Sequence, residues 1–542
     1  RVSRAHGFLL KLAPAAIVGV AVYGLVGALR LGISPVAAAV LALGFAAVVL
    51  RVPANLFVRV RQSARWQLPV VMTLFAVWAF AEPSMRRVVE QRARRALPPS
   101  DTAAPNVLLI IWDTARAMSM SLHGHTRRTT PELEQFGKTG TVFEHAFATS
   151  AWSLPSHASL YTGRYPQETS VGRTAPLDES QTTLGEALAR RGYVTAGFTA
   201  NLFYGSRDFG IARGFDWYDD EVQPTLTNIA GTWSLTRRLV DRWRAFKGDH
   251  QDIVRRPASD VTDKLLRWID RRGSRPFFTS VNYFDPHAPY LPPAPFRRAF
   301  TSAPPRYWFE EDPHATNPKH FEELRTAYET CVLYVDSELG RLLAALRQRG
   351  VLDNTLVIVT SDHGEEFGSH GNHLIMHERS LYATVLRIPL VMVLPGRVPS
   401  GVRRPEVVSL RDIPITVMDV LGGHDEEQFP GISLLRYATG SVSDAEVAEP
   451  RMAHLRPNKV WPKSYLDWAI RKSHVFSLAS GTLHYIVNAS GEEELYDFVR
   501  DPWETVDLAR DRTTYSALAR FRATLDRMAP GWQTVSADTI AY

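Results

Sequence analysis

The chain has 542 residues, of which 45% are hydrophobic and 22% charged, a balance that excludes a disordered or low-complexity protein. Lys and Arg exceed Asp and Glu by 62 to 56, a net charge of +6 with no concentrated basic stripe, so a nucleic-acid partner is not indicated. A single cysteine excludes an internal disulfide framework and any multi-cysteine zinc or iron–sulfur site.

The amino end reads as membrane-embedded. Residues 12–29 carry no charge, and after Arg30 neither do residues 31–50. Both runs approach the ~20 apolar residues that cross a bilayer. Gly32 and Pro35 mark a turn between two helices, and residues 66–81, interrupted by Pro69, form a third, shorter run. A cleaved signal peptide has one such run, not several. Residues 1–82 are therefore expected to be transmembrane helices and residues 83–105 a charged, then Pro-rich linker. Arg51, Arg59, Arg61 and Arg65 favour a cytoplasmic loop between the second and third runs, which puts the remainder outside the cytoplasm. Arg86, Arg87, Arg92, Arg94 and Arg95 oppose export and are read as resting on anionic headgroups. The expectation is an integral membrane protein with an extracytoplasmic catalytic domain.

From Asn106 the pattern changes. Residues 106–112, 276–284 and 356–361 are continuous runs rich in β-branched and aromatic residues, read as strands buried on both faces. They run into Asp113, Asp285-Pro286-His287 and Asp362-His363-Gly364. Amphipathic stretches at 182–191 and 322–349 lie between, which implies an open, mostly parallel α/β sheet. Ligands bind such sheets beyond the carboxyl ends of the strands, so three endings in Asp point at one shared edge. Singly, each Asp also fits a helix cap or turn. Cys331, inside an amphipathic stretch, reads as a core residue.

Ser153 precedes Pro155 and a helix-like run, placing it at a helix amino end that favours anions. In isolation it fits a simple N-cap. Six segments in order give it context: 106–116, 151–163, Phe284-Asp285-Pro286-His287-Ala288-Pro289-Tyr290, Thr360-Ser361-Asp362-His363-Gly364-Glu365, His377 ahead of Leu381-Tyr382 and Arg387-Ile388-Pro389-Leu390, and Glu494-Leu495-Tyr496-Asp497 with Asp501-Pro502. Together they resemble the sulfatases of the alkaline phosphatase superfamily, over residues 106–509. The resemblance implies an α/β/α sandwich as the catalytic domain over 106–440. It also implies a C-terminal subdomain over 441–542 containing a small antiparallel sheet.

By that resemblance Asp113, Asp362 and His363 bind one divalent metal, and Ser153, the nucleophile, also touches it. His287 and His377 hold the ester's anionic oxygens or assist the leaving group. Asn201, His157 and Arg116 are candidate substrate-binding residues. An imidazole ligand favours Mn or Zn over Ca or Mg, and Asp285, His287, His373 and His377 could supply a second metal. The family's maturation signal has Cys or Ser, Pro two residues on and Arg four on, and its nucleophile is oxidised to formylglycine. Here the fourth position is His157, which argues against formylglycine at Ser153. The implied substrate is an anionic sulfate or phosphate ester, lipid- or glycan-linked, at a membrane surface. Two alternatives stay open: a membrane-bound phospho-group transferase acting on envelope lipids or polymers, and an inactive membrane-anchored binding relative. The Pro-rich stretch 289–318 is expected to cover the site.

Overall fold

The computed structural model describes residues 90–172, 175–220, 255–301, 318–370, 375–423, 429–456 and 474–534. The three amino-terminal apolar runs and residues 302–317 of the Pro-rich stretch lie outside them. Among the described residues, no helix is long and apolar enough to cross a membrane. The chain divides into two compact units, Arg1–Arg95 with Gln223–Asp241 and Ala96–Val222 with Arg242–Tyr542. All that follows concerns the second.

Its main sheet contains β1 (Asn106–Trp112), β2 (Thr141–Phe147), β3 (Val194–Thr199), β4 (Trp217–Asp219), β5 (Phe277–Tyr283) and β6 (Thr355–Thr360). After a short ribbon of β7 (Glu366–Phe367) and β8 (Ile375–Met376) come β9 (Arg387–Ile388), β10 (Leu390–Val393) and β11 (Val402–Ser409). The order across the sheet is β11-β2-β10-β6-β1-β5-β3-β4, with β9 on β2. From β6 to β4 every pairing is parallel, while β10 runs antiparallel to both β6 and β2. The sheet is therefore mixed, parallel where the site lies.

Alternation along β1 explains the layering. Val107, Leu109 and Ile111 face one core, while Leu108, Ile110 and Trp112 face the other. The first core is closed by α2 (Ser153–Thr162) and α3 (Leu184–Arg190), the second by α1 (Pro131–Gly137), α4 (Ala258–Arg271) and α5 (Pro318–Gln348). Cys331 is buried in that second core. Three further helices, α6 (Ala383–Leu386), α7 (Asp412–Val420) and α8 (Leu434–Thr439), complete the first layer.

The carboxyl segment forms an antiparallel sheet of β12 (Arg451–Leu455), β13 (Val475–Ser480), β14 (Leu483–Asn488) and β15 (Glu493–Asp497). One face packs on α9 (Tyr515–Met528), and the other joins the first core through Ala453, Val475, Ile486 and Tyr496. A buried His–Glu hydrogen bond adds to this join. His484 Nδ1 lies 2.6 Å from Glu504 Oε1, and Glu504 Oε2 accepts the Ala383 N–H at the start of α6.

His454 Nε2 on β12 and His474 Nδ1, just before β13, meet at 2.8 Å, and His454 stacks on Phe476 at 4.3 Å. Burial and the neighbouring His474 hold His454 well below its ordinary pKa; burial and Arg456 bring His474 down to about 4. The unfolded chain thus binds more protons than the native one below pH 6.5. Their stabilising contribution is complete above 6.5 and is lost as the pH falls towards 4. Melting temperatures from circular dichroism should fall across that window, and a His454→Gln/His474→Gln double variant should flatten the fall.

Candidate active site

The carboxyl ends of β1 and β6 bring together Asp113, Asp362 and His363. One ligand atom from each lies within 4.8 Å of the others, and all three are fully buried. The turn holding Asp362 and His363 packs so closely that a Cβ on Gly364 would come within 2.6 Å of the Thr384 carbonyl. Glycine is required there. Opposite it, Thr114 has φ 58°, an uncommon conformation for a β-branched residue. Its N–H is held by Asp362 Oδ1 at 3.0 Å and its carbonyl by the Tyr328 hydroxyl at 2.9 Å.

Each carboxylate is half satisfied. Asp113 Oδ2 accepts from Asn201 Nδ2 at 3.2 Å and Asn282 Nδ2 at 3.1 Å. Asp362 Oδ1 accepts from the N–H groups of Thr114 and His363. Asp113 Oδ1 and Asp362 Oδ2 are buried without a hydrogen-bond partner among the described residues. Burial, then the neighbouring Asp362, push Asp113 well above the usual carboxylate range. When both carboxylates are ionised, these two oxygens repel each other across a common space unless a cation lies between them. His363 donates Nδ1–H to the Gly364 carbonyl at 3.0 Å, which leaves Nε2 as its ligand atom. The donor set fits a divalent metal, which would neutralise substrate charge and lower the pKa of a bound hydroxyl.

Ser153 is the first residue of α2. The N-cap is Trp152, so the Ser153 hydroxyl does no capping; it lies 3.1 Å from His363 Nε2. His157, one turn on, donates from Nδ1 to the Ser153 carbonyl at 2.7 Å and sits 3.7 Å from Asp362 Oδ2. Its Nε2 is buried without a partner among the described residues. His377 lies between His363 and His287, at ring separations of 4.4 and 5.1 Å. Its Nδ1 is 3.0 Å from Glu365 Oε1, and Glu365 Oε2 accepts from the Tyr290 hydroxyl at 2.9 Å. Met376 and Glu378 on either side have φ of 70° and 73°, and the Glu378 N–H is tied to the Ala151 carbonyl. His287 stacks on Phe284 at 4.3 Å and bonds the Ala288 carbonyl through Nδ1. Burial, then His377, bring its pKa down to about 3, so it works as a neutral imidazole.

Two expectations fail. Arg116, expected to bind substrate, is buried and used within the protein. Its Nε donates to Ser119 Oγ, its Nη1 to the Glu365 carbonyl, and its guanidinium lies 4.8 Å from the Phe367 ring centre. Asp285, expected among ligands for a second metal, accepts the Ala258 N–H at the start of α4. It is a helix cap. His373 lies outside the described residues, and among them only the Asp113 cluster gathers three ligands. Asn282, Glu365 and Tyr290 reach the site without having been singled out. The signal for Asn282 was a polar amide near the carboxyl end of a fully buried strand.

An α/β/α fold with a half-satisfied acidic pair, an imidazole and a hydroxyl at a helix start defines a class of ester hydrolases. The sulfatase family model matches residues 105–423, more than half of the chain, and the chain belongs to that family. It is a sulfatase-like hydrolase. Arylsulfatase K of Canis lupus familiaris is 24% identical over 495 residues, covering 84% of this chain and 88% of its own length. The multifunctional alkaline phosphatase superfamily protein PehA of Trinickia caryophylli is 27% identical over 500 residues, covering 80% and 96%. The phosphonate monoester hydrolase of Agrobacterium radiobacter shares the fold at a TM-score of 0.63 and 22% identity, covering 78% of this chain and 95% of its own.

Proposed function

We propose that the protein hydrolyses a phosphate or sulfate monoester through Ser153 retained as serine, with Asp113, Asp362 and His363 holding one divalent metal beside it. The observation that carries this is the Ser153 hydroxyl, 3.1 Å from His363 Nε2 beside two carboxylate oxygens that lack partners. Ser153, ionised with its proton released to solvent, attacks phosphorus or sulfur through Oγ, and the bond to the alcohol oxygen breaks. His377, oriented by Glu365 through Nδ1, would act as the imidazolium and give the alcohol its proton from Nε2. His287, whose Nδ1–H goes to the Ala288 carbonyl, presents an Nε2 lone pair that can take a proton from the water of the second step. Water then attacks the Ser153 ester and releases the inorganic anion.

A formylglycine hydrate expels sulfate by collapsing to the aldehyde, a route closed to a serine ester. The replacement of the signal arginine by His157, folded back on the Ser153 carbonyl, therefore favours phosphorus. The kinship with a phosphonate monoester hydrolase and with a multifunctional superfamily member supports that choice. The test is peptide mass around Ser153, combined with turnover of 4-nitrophenyl phosphate and 4-nitrophenyl sulfate. A phosphoserine trapped at 153 supports the reading. A loss of about 2 Da at Ser153, the mass of two hydrogens, overturns it and restores a conventional sulfatase.

The uncharged amino-terminal runs support a second part of the proposal, that the domain works at a membrane surface on its extracytoplasmic side. Carbonate extraction should leave the full chain in the membrane pellet, and a protease-protection assay reads the side.

A further inference from the structure

Asn201 has two ends in use. Its Nδ2 orients Asp113, while its Oδ1 accepts the N–H groups of Phe203 at 3.2 Å and Tyr204 at 3.0 Å. The side chain that positions a candidate metal ligand thus also fixes the turn that carries two aromatic rings. The turn is tight as well: Gly205 N–H bonds the Asn201 carbonyl, and a Cβ on Gly205 would come within 2.3 Å of Thr199 Oγ1.

The rings form a line. His377 lies 5.6 Å from Trp152, Trp152 meets Tyr204 edge-on at 4.7 Å, and Tyr204 meets Phe203 at 4.6 Å. Phe209 backs both, at 5.7 Å from Tyr204 and 6.1 Å from Phe203. The line starts at the histidine beside the nucleophile and ends at Phe203, which is 50% exposed. Trp152 is the residue before Ser153. A half-exposed phenylalanine on a rigid turn forgoes burial that a looser turn would have given it. The four rings carry no charge, so they do not serve the anionic end of the ester, which the metal ligands and histidines already face.

We infer that Trp152, Tyr204, Phe203 and Phe209 are the subsite for the departing alcohol and make the enzyme prefer esters of aromatic alcohols. This rests on the assignment of Ser153 as nucleophile and His377 as proton donor. The alcohol leaves beside His377, where the line of rings begins. An aromatic leaving group finds edges and faces there at the spacing aromatic pairs adopt, and a short alkyl group does not reach Phe203. Asn201 makes the subsite and the metal centre one construction.

The experiment uses the full chain with phenyl phosphate and ethyl phosphate, and compares the aryl-to-alkyl ratio of kcat/KM between wild type and variant, a comparison in which the intrinsic reactivity of each ester cancels. Phe203→Ala should lower that ratio about tenfold, chiefly through KM, the scale of one lost aromatic pair. Asn201→Asp keeps an acceptor for the Phe203 and Tyr204 N–H groups but sets a carboxylate against Asp113. It should lower bound metal and the turnover of both esters while holding the ratio. Calorimetric binding of free 4-nitrophenol reads the subsite without turnover and should weaken about tenfold in Phe203→Ala. An unchanged ratio, or unchanged 4-nitrophenol affinity, overturns the subsite. No turnover of either ester, with 4-nitrophenol binding still lost in Phe203→Ala, overturns the reaction and supports the subsite.

Discussion

Ser153→Ala should reduce kcat/KM for every ester by at least about 10⁴-fold, the scale on which nucleophile removal acts in hydrolases that use a serine. Bound metal and the melting temperature should hold. The geometry supports both halves of this expectation. The Ser153 hydroxyl caps nothing, because Trp152 is the N-cap of the helix, and alanine is a better helix former than serine. The one partner of the hydroxyl, His363 Nε2, keeps its orientation through the bond from Nδ1 to the Gly364 carbonyl. The covalent phosphoserine should vanish with the activity. Steady-state kinetics, elemental analysis and intact mass on the same preparation check the three parts. A variant that retains more than a hundredth of wild-type turnover removes Ser153 from the chemistry.

The second large effect is at Asp362. Asp362→Asn keeps the oxygen that accepts the N–H groups of Thr114 and His363, so the turn stays folded. The other carboxylate oxygen, buried without a partner among the described residues, becomes an amide that points hydrogens where a cation would sit. Metal content should fall to background and turnover with it. The sign of the stability change differs between states. Without metal, the variant loses the repulsion between Asp113 and Asp362 and should melt no lower than wild type. With metal, wild type gains about 2.7 kcal/mol at a hundredfold excess over its dissociation constant, and the variant gains nothing. Thermal melts with and without chelator, beside elemental analysis, read both. Full metal occupancy in the variant would falsify the assignment.

The strands were legible because burial on both faces needs unbroken apolar runs, and residues 106–112 match β1 end to end. What the runs lead into was less legible. Asp113, Asp362 and Asp285 all follow such runs, yet only the first two converge, while Asp285 caps α4. The same residue type serves either role, and the choice depends on where the next helix starts in space. Arg116 was misread for a related reason, since its partners Phe367 and Glu365 lie some 250 residues away in sequence. Glu365 was quoted beside His363 but carried no role, because only folding brings the 375–378 segment against it. Asn201 was visible as a candidate, although neither of its two bonded ends could be read from its neighbours.

All ten residues of the helix that begins at Ser153 are buried, and the helix closes on Gly163, where a Cβ would come within 2.9 Å of the Pro430 carbonyl. Another macromolecule's catalytic cleft reaches such a segment only if the whole layer opens, the most costly local opening a domain has. The chemical identity of residue 153 is therefore decided in the interval between its synthesis and the collapse of the sheet around it. A host that carries an oxidising enzyme has its opportunity on the nascent chain, and a folded serine population stays serine whatever it meets afterwards. Retention of serine at 153 is accordingly settled before the domain folds, and storage of the folded protein should not change it.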